Sequence, residues 1–177
     1  MYHKKYGRIT CSAWIELELR QSSLPLAIAC GVVMAALCIA VGSVTGSLYR
    51  VILELGIADL MPPVWLFSLL RFLALFLAGC AAGLMLGCRD PLWRAEKYRC
   101  GMLFLIMAAA ELCWLPTLFG AGWVLLSALE AMLMLGLAVC ITACTLRISR
   151  LAGYLFLMHG VWLTYLLILT CSIFLRA

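Results

Sequence analysis

The chain has 177 residues, 67% of them apolar and only 12% charged. A water-soluble domain is about half apolar and about a quarter charged, so a soluble fold is excluded and one integral membrane domain is the default. The net charge of +5 is modest, and the basic residues fall at the ends of apolar runs rather than on one face, which excludes a nucleic-acid surface.

A span needs about 20 apolar residues, and five runs qualify. Residues 1–23 are polar and mixed in charge, with no cleavable signal peptide, and read as a cytoplasmic tail. The transmembrane domain covers 24–177. Its first span is 24–45, with Gly42 near its end and Gly46 just past it. Residues 46–61 hold apolar positions at helical spacing together with Arg50, Glu54 and Asp59, the pattern of a short interfacial helix. The second span, 62–88, opens on Pro62 and Pro63, followed by Trp65. It carries Arg71 and a GxxxGxxxG ridge of Gly79, Gly83 and Gly87. Such a ridge lets helices approach closely, either within the bundle, the preferred reading, or at a homodimer face. RDPLWRAEKYR, 89–99, is a charged turn with a proline. The third span, 100–119, contains Ala108–Ala110, a second close-contact surface and candidate dimer seam, then Glu111 and Trp114. After the uncharged turn Gly120–Gly122 come the fourth span, 123–146, with Glu130, and the fifth, 151–175, with His159 and Trp162.

Loop charges predict the orientation. Lys4, Lys5, Arg8 and Arg20 in the tail, Arg89, Arg94, Lys97 and Arg99 in the second loop, and Arg147 and Arg150 in the fourth fall on one side if there are five spans. The N-terminus is therefore predicted inside and the C-terminus outside, as suits a bacterial inner membrane.

Arg71, Glu111, Glu130 and His159 lie within the spans. Each such residue costs on the order of 2.5–3.5 kcal/mol at mid-helix on insertion scales, and they usually face the interior and find partners. At about 1.5 Å per residue, Arg71 is roughly 13 Å from the outer end of its span and Glu111 roughly 12 Å from the outer end of the next. Matching depth on consecutive antiparallel spans predicts an Arg71–Glu111 ion pair. It either neutralises two buried charges or forms the polar wall of a ligand cavity. His159 reads as a packing residue more readily than as an axial ligand. Trp114 and Trp162, inside the spans rather than at the interfaces, are either core or an aromatic lining for a flat ligand.

The ten cysteines form no CxxC pair and read as soft packing residues. Cys140 and Cys144 share a helix face, but no histidine or acid completes a metal site there. Nucleophile elbow, HExxH and phosphate-cradling glycine loop are all absent from the sequence, so no catalytic residue is assigned.

The local motifs resemble the TspO/MBR family, the tryptophan-rich sensory proteins and the mitochondrial translocator protein (peripheral-type benzodiazepine receptor). The family's PPxW-x-F appears as Pro62, Pro63, Trp65 and Phe67, and a later glycine falls on Gly79. Its span-three pattern of Asn-x-x-Trp and following aromatics appears as Glu111, Trp114, Pro116 and Phe119. Glu130, Ser149, Ala152 and Trp162 then match in one ungapped register. The departures are equally specific. A family tryptophan becomes Arg71, an aromatic one turn later becomes Leu75, the asparagine becomes Glu111, and Pro-Tyr becomes Met158-His159.

The resemblance implies a TspO/MBR-like bundle of five transmembrane helices. Its cavity, open to the outer side, would be lined by the positions of Arg71, Leu75, Glu111, Trp114 and Trp162, with Trp65 and His159 as further ligand-binding candidates. Pro62, Pro63, Gly79, Gly83, Gly87 and Glu130 would be structural. The implied ligands are small hydrophobic or tetrapyrrole-like compounds, including porphyrin or haem, with no cofactor or metal required. Some bacterial family members are reported to degrade porphyrin in light, an activity for which the lost aromatics leave little support here. The expectation is ligand binding with a sensing role. Passive transport, or a membrane partner protein with a closed pocket, is the alternative.

Overall fold

The computed structural model describes residues 23–44, 61–88 and 91–175. The expected cytoplasmic tail (apart from residue 23), the interfacial helix within 46–61 and Arg176 lie outside the described residues. Five long helices follow one another: α1 Leu24–Val44, α2 Val64–Gly87, α3 Arg94–Leu115, α4 Val124–Ile148 and α5 Arg150–Phe174. All five are long and apolar enough to cross a membrane. The protein is a multi-pass, all-α bundle.

The ends follow local chemistry. Pro62 and Pro63 precede α2, where a proline's missing N–H costs nothing. The third helix begins earlier than the apolar run, because Arg94–Arg99 already forms its first turns. Apolar composition marks where a helix enters hydrocarbon, not where its backbone starts. Arg99 lies 3.7 Å from Glu96 one turn back, and the Lys97 ammonium donates to the Cys88 carbonyl just past the end of α2. At the other end of α3, Pro116–Gly120 widens into a π-type turn in which Ala121 N donates to Pro116 O at 2.9 Å. Gly122, at φ +69°, then turns the chain into α4, a conformation that favours glycine. Only Ser149 separates α4 from α5, and its hydroxyl caps α5 by accepting from Ala152 N at 3.3 Å.

The helices are not packed in chain order. α1 lies on α2, α2 on α5, α5 on α4, and α4 on α3, while α3 touches α1 and α2 only lightly. Consecutive spans two and three are therefore not close neighbours. The glycine ridge of α2 faces α1: a Cβ on Gly79 would stand 2.6 Å from Cys30 O, and one on Gly83 2.5 Å from Ala27 Cα. The ridge is thus a seam inside the bundle. Gly42 does not extend it, since a Cβ there would meet nothing within 4 Å. In the Ala108–Ala110 stretch only Ala109 is exposed, while Ala108 is buried.

Candidate functional site

Three helix faces turn the expected residues inward. On α2, Phe67, Arg71 and Leu75 follow one another at four-residue spacing, and all three are buried. On α3 the inward face holds Glu111 and Trp114, continued by Leu118 in the π-type turn, and on α5 it holds His159, Trp162 and Leu166. Spacing of three and four keeps each set on one side of its helix. The apolar members were drawn inward by burial, and the polar members came with them.

The polar centre differs from the pairing that depth predicts. Glu111, 1% exposed, places Oε2 3.1 Å from His159 Nε2. The two groups touch, but off the line a hydrogen bond requires, so neither atom counts a hydrogen-bond partner. Arg71 is 4% exposed, and no ion pair to it occurs among the described residues. Its Nε and Nη2 are buried without a partner. The expected Arg71–Glu111 ion pair is therefore not formed. The carboxylate is taken by a helix that depth arithmetic did not consider, α5. Cys38 of α1 lies within electrostatic range of both charges.

Aromatic rings adjoin this centre. Phe67 and Trp162 have ring centroids 5.4 Å apart, as do Trp162 and Tyr165. Trp114 meets Phe119 edge-on at 5.9 Å. The indole nitrogens of Trp114 and Trp162 and the Tyr165 hydroxyl are also buried and unpartnered. Buried polar groups normally find partners, and each one that does not costs roughly 1–3 kcal/mol. Here such groups gather on three facing helices. The arrangement offers hydrogen-bond donors, one guanidinium, and a carboxylate in contact with an imidazole.

Two apolar grooves flank α5. One, of about 360 Å³, runs between α2 and α5 and is lined by Leu70, Leu73, Ala74, Met158, Trp162 and Tyr165. The other, of about 410 Å³, lies between α4 and α5. Trp162 belongs both to the first groove and to the inward face of α5.

Leu75, Trp114, His159 and Trp162 thus lie with Arg71 and Glu111 on the inward faces. Trp65 does not: it is 69% exposed at the start of α2. Glu130 sits apart, near the turn between α3 and α4, where the Thr117 hydroxyl donates to its Oε1 at 3.3 Å. Sequence reasoning missed Cys38 and Tyr165 as neighbours of the centre. Cys38 lies on the buried stripe Ala27, Met34, Ala35 and Cys38 of α1, but α1 is apolar on every side and its sequence marks no face.

Compared with known proteins, residues 28–176 match the model of the TspO/MBR family. No curated protein and no solved structure matches the chain.

Proposed function

From the premise that the chain belongs to the TspO/MBR family, we propose that it binds a small, largely apolar, tetrapyrrole-like ligand among α2, α3 and α5 and serves a sensing or regulatory role. The observation that carries this reading is the concentration of unpartnered polar atoms beside aromatic rings on three facing helices. A bundle filled only by its own side chains would leave these groups as uncompensated cost. A ligand supplies both partners and a flat apolar body. In this reading the N-terminus lies inside and the C-terminus outside a bacterial inner membrane.

The α2–α5 groove favours a second reading, passive transport, because Trp162 lines both the groove and the interior face. A ligand dissolved in the bilayer could enter and leave laterally there.

The test is titration of the purified protein with protoporphyrin and with haem, following quenching of tryptophan fluorescence. Saturable quenching is expected, weakened by Trp162→Phe and by Arg71→Leu. No saturable quenching would point instead to a partner protein with a closed pocket.

A further inference from the structure

Arg71 is a buried cation with no ion pair among the described residues. Its side chain is almost wholly buried, yet Nε and Nη2 both lack a hydrogen-bond partner. These nitrogens form one edge of the guanidinium plane. Their N–H bonds point the same way and match the two oxygens of a carboxylate. The internal carboxylate that could have filled this edge is turned elsewhere, since Glu111 Oε2 lies against His159. The side chains one helical turn to either side of Arg71 on its face, Phe67 and Leu75, are apolar and buried. The cation therefore stands at a single polar point on an apolar wall.

We propose that this side-on edge of Arg71 receives the carboxylate of an otherwise apolar ligand, with the rings of Trp114 and Trp162 along the ligand's body. The inference rests on the reading that the bundle holds a ligand, and adds the ligand's chemical class: an amphiphile carrying a carboxylate at one end. One guanidinium balances one carboxylate, which leaves Glu111 with His159.

The test compares protoporphyrin IX with its dimethyl ester, the same macrocycle with its carboxylates capped, on the purified full-length protein in detergent. The free acid is expected to bind about 10- to 100-fold more tightly than the ester, the worth of a charge-assisted hydrogen-bonded pair. In Arg71→Gln that preference should vanish. In Arg71→Lys, which keeps the charge but not the planar fork, it should return only in part. Equal affinity of the unmodified protein for acid and ester overturns the carboxylate assignment and leaves the intrabundle ligand reading standing. A preference that survives in a folded Arg71→Gln variant overturns the assignment to Arg71. Saturable binding of neither compound overturns both readings. The acid–ester ratio on the unmodified protein decides the matter even if a variant fails to fold.

Discussion

Replacing Gly83 with alanine tests the seam between α1 and α2 at its tightest point. The added Cβ would lie 2.5 Å from Ala27 Cα, 2.8 Å from Leu26 O and 2.9 Å from Ala27 N. All three are backbone atoms, so no rotamer change relieves the contact. Ordinary carbon–carbon contact is about 3.5–4.0 Å, so α1 must withdraw by about 1 Å near this crossing. A gap of that size forfeits a quarter to a half of the dispersion energy of the contacts it opens, and van der Waals packing is a main force holding helices together in lipid. Overpacking of this kind costs about 1–3 kcal/mol. Alanine also returns about 0.5–1 kcal/mol of helix propensity. The comparison that isolates the contact is Gly42→Ala, since a Cβ there meets nothing within 4 Å. Gly42→Ala is expected to hold or raise the melting temperature, and Gly83→Ala to lower it by about 2–4 °C per kcal/mol of net loss. Thermal unfolding in detergent, read by a thiol-reactive fluorophore that reports exposure of buried Cys38 and Cys100, measures both. A Gly83→Ala protein melting at or above Gly42→Ala would refute the close approach of the two helices.

Arg71→Met is expected to leave the ligand-free protein as stable or more so, because it removes an unpaired buried cation that costs on the order of 2.5–3.5 kcal/mol on insertion scales. A lower melting temperature would mean that the guanidinium has a stabilising partner. Trp65→Phe should leave porphyrin quenching constants unchanged, since Trp65 is exposed and away from the inward faces, whereas Trp162→Phe should weaken them; equal effects from both would remove the site from the bundle interior. Glu111→Gln should weaken ligand binding less than Arg71→Gln does, because Glu111 is engaged by His159; the reverse order in the same quenching titration would count against this division of roles.

The five spans were legible because composition alone decides where hydrocarbon can surround a helix. The turn at Gly120–Gly122 was legible for the same reason, as the place where the apolar runs part. The pairing of Arg71 was not. Depth along a helix is one coordinate, and a contact also needs the angle about the axis and the identity of the neighbour. Equal depth on consecutive spans suggested Arg71 with Glu111, but the order of packing sets α2 against α5 and only lightly against α3. His159, on the inward face of α5, reaches the carboxylate instead. The glycine ridge shows the same division. Its spacing announced a close approach, but only the bundle revealed that the partner is the backbone of α1. The departures from the family pattern at Arg71, Glu111 and His159 fall on three separate helices that bury them in one interior. That clustering could not be read from any one segment.

The bundle is closed unevenly. α1 is pressed backbone to backbone on α2, and α4 and α5 are joined through a single residue, Ser149. By contrast α3, which carries Glu111 and Trp114, leans mainly on α4 and meets α1 and α2 only lightly among the described residues. In mechanical terms the molecule is a clasp rather than a ring. Four helices follow one another through their main contacts, and α3 is attached at one end of that series, through the widened turn of Pro116–Gly120 and Gly122. Arg71 on α2 and Glu111 on α3 therefore stand on opposite sides of a sparsely contacted junction, away from the glycine seam.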